Sequence, residues 1–518
     1  MGLLLGIDIG TSGTKAVLVD EKGKVLASAT SEYELLSPRP GWYEQRPLDW
    51  WGAVCEATQA VVKKARAKPA AISGIGLSGQ MHGSVFLDSK GRVLRPALLW
   101  NDQRTGAECA DIEAACGGRE AVVKLVGNPA LTGFQAPKIL WLKKNEPKRF
   151  ELTKQVLLPK DFIRFMMTGE YATDVSDASG TLLLDVARRK WSDEMFAKIK
   201  LDKSLVPQTL VEGPDITGKL TKEAADHLGL VPGIPVVGGA GDNAAGAVGN
   251  GVVNPGQLAS IIGTSGVVFA HSDHVAVDPH GRVHTMCHAV PGKWCVFGCM
   301  LSAGGSLQWY RDTLCQDEIA AAKKAKVDPY ELLTKAASES PIGGEGLTFL
   351  PYLTGERGPH LDPLARGGFI GLTRRTTKAM MTRSVLEGVT FGMRDLLEII
   401  RGLGIPTSSI RATGGGAKSD FWLQVQADIF KAPVSVTTAD QGPAYGVAIL
   451  AGVGTGVWST VQEACASITD AKTIKPRTRE AKMYDTAYGV FKDLYPALKP
   501  VFPKMAPAEK PVASAEKV

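Results

Sequence analysis

Leu3-Leu4-Leu5-Gly6-Ile7-Asp8-Ile9-Gly10-Thr11-Ser12-Gly13-Thr14-Lys15-Ala16-Val17-Leu18-Val19 reads as an apolar strand, a glycine turn and a second apolar strand. Glu21-Lys22-Gly23-Lys24 makes another turn and Val25 to Ala29 a third strand. The chain therefore opens as a meander, not as a βαβ crossover. The pattern returns 253 residues later, about half the chain on: Leu258 to Ile262, then Gly263-Thr264-Ser265-Gly266, then Val267 to Ala270. Two copies, each opening a half, predict two α/β domains of related design. The boundary is expected near Asn254-Pro255-Gly256, giving residues 1–254 and 255–490. Residues 491–518, rich in Ala, Pro, Lys and Glu towards their end, are expected to be a flexible tail. The two copies differ in charge: Asp8 lies two residues before the first turn, and Ile261 takes its place before the second.

The 518 residues suffice for sizeable cores. A content of 44% hydrophobic and 22% charged residues excludes a disordered or collagen-like chain. The net charge of +6 is spread thinly, and no concentrated basic stripe marks a nucleic-acid partner. Eight cysteines without a CxxC pair point to reduced thiols and a cytoplasmic setting. No run of 18 apolar residues predicts a membrane span, and Gly6 stands where a myristoylation motif needs Ser or Thr. Glycine alone is in excess, 58 residues, and its placement carries the functional reading.

A P-loop signature is absent. Gly74-Ile75-Gly76-Leu77-Ser78-Gly79 matches GxGxxG, but Gln80-Met81-His82-Gly83 follows where a dinucleotide-binding unit opens a helix. This stretch reads instead as a glycine-rich strand end bordering a cleft. The Gly10–Gly13 turn offers backbone N–H groups that can converge on phosphate oxygens, with Thr11, Ser12 and Thr14 hydroxyls and the Lys15 charge beside them. Asp8, costly to bury unpaired, fits a nearby Mg²⁺. In Gly238-Gly239-Ala240-Gly241-Asp242-Asn243-Ala244-Ala245-Gly246, small residues leave room around one carboxylate. Asp242 either caps a helix starting at Ala244 or faces a cleft as the group that takes a hydroxyl proton. Gly304-Gly305, with Gln308 one turn on, and Gly414-Gly415-Gly416-Ala417 are further points where a ligand can approach backbone. His284 and His288 lack the Glu that a zincin places after its first His.

These segments resemble the FGGY family of sugar kinases along residues 1–490. The resemblance is carried by Gly6–Gly13, Ser78-Gly79-Gln80-Met81-His82-Gly83, Leu99-Trp100-Asn101-Asp102, Leu157-Leu158-Pro159-Lys160-Asp161, Gly241-Asp242-Asn243-Ala244 and Leu353-Thr354-Gly355-Glu356-Arg357. It implies two ribonuclease-H-like α/β domains of the actin/hexokinase/Hsp70 type flanking an active-site cleft. It further implies ATP and Mg²⁺ as cofactors and phosphorylation of the 5-hydroxyl of D-xylulose, with Asp242 as base. By the same resemblance Met81, His82 and Asn243 border the sugar, and Asp8 is associated with Mg²⁺. Thr11 to Lys15 and Gly263 to Gly266 would hold phosphates, and Gly304, Gln308 and Gly415-Gly416-Ala417 would hold adenosine. Gln135 and Met380 depart from the family's usual patterns, away from this chemistry. Another ketopentose or a pentitol is the alternative acceptor. A nucleotide-gated binding protein on the same core is the alternative class. A homodimer stays open as the assembly, with no nucleic-acid or membrane partner expected.

Overall fold

The computed structural model describes residues 2–439 and 441–505. The opening meander is β1 (Leu3–Ile9), β2 (Gly13–Val19) and β3 (Val25–Glu32), followed by α1 (Pro47–Ala65) and β4 (Ile72–Gly79). Further along come α2 (Pro159–Thr168), β5 (Ile216–Lys219), β6 (Pro235–Val237) and α3 (Asp242–Gly249). The strands pair in the order β5-β6-β4-β1-β2-β3, with β4 parallel to β1 and the meander antiparallel.

The second half repeats this plan. It holds β7 (Gly256–Ile262), β8 (Gly266–Ser272), β9 (His284–Cys287) and β10 (Trp294–Met300). After them come α4 (Gly304–Leu314), α5 (Pro329–Ser338), α6 (Lys378–Gly402), β11 (Thr407–Gly414) and α7 (Asp420–Phe430). The chain closes with β12 (Val434–Thr437), α8 (Gly442–Gly454), β13 (Asp470–Ile474) and α9 (Thr478–Leu498). Its sheet runs β9-β10-β8-β7-β11-β12-β13, again with an antiparallel meander and a parallel neighbour on its other side. The two hairpins differ by one residue at the turn: Ile9 pairs with Thr14, whereas Ile262 pairs with Gly266. Asp8 lies opposite Lys15 on β2 and Ser78 on β4, whereas Ile261 lies opposite Val267 and Thr413. One sheet thus carries a charged pair where the other carries an apolar one.

Two features differ from the sequence expectation. Helix α8 comes late in the chain yet packs on the first sheet: an added Cβ at Gly6 of β1 or Gly76 of β4 would lie 1.9 Å from carbonyl oxygens of Ala444 and Val447. It also packs on α3, where a Cβ at Gly446 would lie 1.9 Å from the Ala245 carbonyl oxygen. Small residues let these backbones approach to near contact, and α3 and α8 tie the two halves together. The expected flexible tail from residue 491 is overturned in its first part. Residues up to 498 continue α9, and Phe491, Tyr495 and Phe502 are buried in the core of the second half. Three aromatics at helical spacing anchor this segment; the remainder of that expectation, 506–518, lies outside the described residues.

Candidate active site

The first glycine turn is held from below. Gly10 N–H donates to the Gly13 carbonyl at 3.0 Å, closing the turn. Gln45 Nε2 donates to the Thr11 carbonyl at 2.7 Å, and Gln45 Oε1 accepts from Gln80 Nε2 at 2.9 Å and Trp50 Nε1 at 3.0 Å. Trp100 Nε1 donates to the Thr11 hydroxyl at 2.9 Å. This frame leaves Ser12 exposed. Asp8 sits under the turn. Burial pushes its carboxyl up to about 6, against the pull of the Ser78 hydroxyl and the Lys15 charge. Its Oδ1 atom is buried with no hydrogen-bond partner among the described residues. An orphaned hard oxygen is what a divalent cation takes, so the residues present fit Mg²⁺.

Asp242 is the first residue of α3, so the helix begins two residues earlier than expected, with Gly241 at the N-cap position. Burial first, and then the nearby Asp8 charge, push its carboxyl up to about 7. That value suits a group that takes a proton near neutral pH. Asn243 Nδ2 donates to Asp242 Oδ1 at 3.1 Å and approaches Met81 Sδ at 3.7 Å. Met81 in turn packs where a Cβ on Gly241 would stand, 2.9 Å from its Cγ, so this position requires glycine. Met81, Asp242 and Asn243 therefore meet as the sequence expected.

His82 joins them with a backbone φ of 70°. Burial drives its imidazole down to about 3, with the Lys138 and Arg357 charges adding to the shift. The ring is therefore neutral. Its Nδ1 lies 2.8 Å from the Gly180 carbonyl, an acceptor, so Nδ1 carries the hydrogen and Nε2 is left as an acceptor.

The second turn abuts the start of α4. Gly304 N–H donates to the Gly263 carbonyl at 2.8 Å, and Ala303 and Gly305 N–H donate to Thr264 at 2.9 and 3.0 Å. Ser265 is exposed, and Gly266 opens β8. Beside this turn lies a cavity of about 580 Å³ lined by Gly263, Thr264, Gly304, Gln308, Gly415 and Gly416 among others. Ala417 is half-buried against the core beside it and does not line it. Sequence reasoning missed the far wall, Tyr330, Glu331, Thr334 and Lys335 of α5. It also missed Gln45, Trp50 and Gln80 beneath the first turn, because contacts across tens of residues leave no local pattern. A Cβ on Gly415 would meet only the Ile262 carbonyl oxygen, at 3.7 Å, so a larger side chain enters the cavity without straining the backbone. Gly415→Leu is expected to raise the KM for ATP about tenfold or more, which corresponds to ~1.4 kcal/mol. The melting temperature should stay within about 2 °C of the parent protein.

Behind Asp242 lies a dry charge cluster. Lys160 Nζ is 2.5 Å from Asp161, 2.8 Å from Asp174 and 3.4 Å from Asp177, all four side chains being buried. Asp174 accepts from the Ser176 hydroxyl, and that hydroxyl accepts from Gly241 N–H at 3.2 Å. Arg164 donates to the Val237 and Gly238 carbonyls. The cluster thus fixes the glycine run that leads into Asp242. His284 and His288 serve structure: His284 Nδ1 meets Asn128 Oδ1 at 3.0 Å, and His288 Nε2 meets the Val252 carbonyl at 3.1 Å. No group of His, Cys, Asp and Glu among the described residues is arranged to hold a metal by itself. All eight cysteines are free thiols.

Two phosphate-sized turns and a proton-accepting carboxylate, with a deep cavity beside one turn, are the parts of a phosphoryl-transfer enzyme. The model for the N-terminal domain of the FGGY family of carbohydrate kinases matches residues 3–249, and that for the C-terminal domain matches residues 258–455. The chain belongs to the FGGY family of carbohydrate kinases. It is 40% identical to the xylulose kinase of Escherichia coli (strain K12), over 96% of this chain and 99% of that one. The crystal structure of xylulose kinase from Rhodospirillum rubrum matches with a TM-score of 0.89 at 31% identity, covering 96% of this chain and 99% of that one. The gluconate kinase structure from Lactobacillus acidophilus matches with a TM-score of 0.90 at 28% identity, covering 98% and 100%. No helix among the described residues is long and apolar enough to cross a membrane.

Proposed function

We propose that this chain transfers the γ-phosphoryl group of ATP to the 5-hydroxyl of D-xylulose, giving D-xylulose 5-phosphate. The observation that carries the reading is Asp242: a carboxyl held near neutrality, at a helix start, beside Met81, His82 and Asn243. Asp242 accepts or orients the proton of the attacking hydroxyl. The neutral His82 Nε2 accepts a hydrogen bond from a sugar hydroxyl. N–H groups of residues 11–14, with Lys15, neutralise phosphate charge from one side, and residues 263–266 do so from the other. The cavity lined by Gly304, Gln308, Gly415 and Gly416, with Ala417 beside it, receives adenosine. Asp8 would hold Mg²⁺, which supplies charge neutralisation at the phosphates when bound. Positioning supplies most of the rate, because phosphoryl transfer leaves little covalent work to the protein. The similarity to several xylulose kinases of near-equal length supports the choice of acceptor. Free thiols throughout fit a reducing cytoplasm. A small-molecule sugar and ATP are the partners proposed.

The test is ADP release across a panel of D-xylulose, D-ribulose, L-xylulose, xylitol and D-gluconate. D-xylulose is expected to give the highest kcat/KM by roughly tenfold or more, a difference of ~1.4 kcal/mol in transition-state binding. Equal turnover of several acceptors would replace it with a broader or different substrate. ATP hydrolysis at full rate without sugar would move the chain to the nucleotide-gated class.

A further inference from the structure

One cation near the sugar residues has no role in this scheme. Arg357 belongs to the second half, in the segment between α5 and α6, yet its charge acts on His82 of the first half and on His284 and Lys138 at the seam between them. On its other side it acts on Cys299 near the end of β10, whose thiol meets Ser265 of the second turn. The geometry agrees: a Cβ on Gly358 would lie 3.1 Å from the Arg282 carbonyl oxygen, two residues before His284, whose ring centroid is 5.8 Å from that of Phe134, itself 4.8 Å from His82. The Arg357 side chain is half-buried, and its guanidinium makes no hydrogen bond or ion pair among the described residues. The guanidinium is not sealed from solvent, so its five donors are open to a ligand or water. Lys138 cannot play the part, since its ammonium is spent on the Thr132, Gly133 and Phe134 carbonyls.

The loop holds Arg357 firmly. Glu356 is buried, and its Oε1 accepts from the Arg357 N–H at 2.8 Å and the Leu301 N–H at 2.9 Å. Gly358 N–H donates to the Cys299 carbonyl at 3.0 Å, and Ser302 and Thr354 hydroxyls meet at 3.0 Å. Three ties to the end of β10 bracket one arginine. Such a scaffold fixes the direction of a side chain more than a free loop does.

We propose that Arg357 is a sugar-specificity residue that reaches from the second half and donates hydrogen bonds to the carbonyl end of the acceptor, opposite the hydroxyl served by Asp242. The donor pattern fits a ketose. A guanidinium only donates, and the neutral His82 Nε2 only accepts. A C1 hydroxyl beside a C2 carbonyl offers one donor and one pure acceptor side by side. A sugar held this way links the two halves, which couples its binding to closure of the cleft. The inference rests on the acceptor named above, and the panel on the unaltered enzyme tests that acceptor separately; Arg357 variants are then scored on whichever sugar the panel ranks first.

Arg357→Gln should raise the KM for that sugar about tenfold or more while the KM for ATP moves less than about twofold. It should also narrow the ketose-to-xylitol ratio of kcat/KM about fivefold. Arg357→Lys, which keeps the charge and loses the fork, should fall between the two. Direct sugar binding without nucleotide, followed by calorimetry, should weaken in parallel, and melting temperatures report that folding is intact. If Arg357→Gln does not fold, the Lys variant carries the test with the same readouts. An unchanged sugar KM and ketose-to-xylitol ratio in a folded variant overturns the proposal. So does a rise confined to the KM for ATP, which would assign the guanidinium to the nucleotide.

Discussion

Asp242→Asn is expected to lower kcat by about 10²–10⁴-fold, the range supplied by a positioned general base. The KM values for sugar and ATP should change little, because the amide keeps the size of the carboxylate. The same substitution should stabilise the protein at neutral pH. In the folded chain the Asp242 carboxyl is pushed up to about 7, first by burial and then by Asp8. In the unfolded chain an aspartate titrates near ~3.9. The folded state then binds more protons than the unfolded state between those two values, so stability falls as pH rises from about 4 to about 7 and is level above it. The Asn variant escapes this loss. Without nucleotide or divalent cation it should melt roughly 1–5 °C higher than the parent at pH 8, reflecting on the order of 1–3 kcal/mol. At pH 4 the gap should close. The parent's kcat/KM should decline below about pH 7 as the base is protonated. Near-normal turnover in a folded Asn variant would remove Asp242 from the chemistry. A melting gap independent of pH would separate its stability effect from its ionisation.

Much of this arrangement was legible because phosphate turns are local. Gly10–Gly13 and Gly263–Gly266 declare themselves within a few residues, and their duplication points to two domains of related design. Asp242 was legible for the same reason: a lone carboxylate among small residues stands out in a run of eight or nine. What stayed hidden was assembled at a distance. Gln45 and Gln80 brace the first turn from 34 and 69 residues or more away. Helix α8 joins the first sheet through close backbone approach at Gly6, Gly76 and Gly446. Its apolar run from Ala444 to Ala451 reads as any buried helix, and nothing in the spacing says which sheet it covers. The end of α9 was misread because charged and small residues around Tyr495 and Phe502 resemble a tail, while burial is decided by the aromatics alone.

The largest loss of stability is expected from Lys160→Met. Lys160 is wholly buried, and its ammonium faces Asp161, Asp174 and Asp177 within 3.4 Å. Burial alone would lower the lysine's affinity for its proton; the three carboxylates outweigh it and raise it. Methionine fills the same volume but leaves the carboxylates with Arg164, which reaches only Asp161, at 3.4 Å. Breaking a buried ion cluster by removing one partner costs about 3–5 kcal/mol, because the remaining charges stay dry and unpaired. The melting temperature should fall most at pH 7–8. It should recover toward the parent as acid neutralises the carboxylates, and Asp177 should be protonated early since burial already holds its carboxyl well above the usual range. Activity should fall further than unfolding explains. Asp174 holds Ser176, Ser176 holds the Gly241 N–H, and Gly241 leads directly into Asp242. Loosening that chain shifts the base by a fraction of an ångström, enough to cost catalysis while ATP binding at the distant cavity persists. Adding Asp177→Asn to the Lys160→Met protein removes one uncompensated charge and should restore part of the lost stability. A double variant no more stable than the single one would mean that lost packing, and not stranded charge, sets the cost.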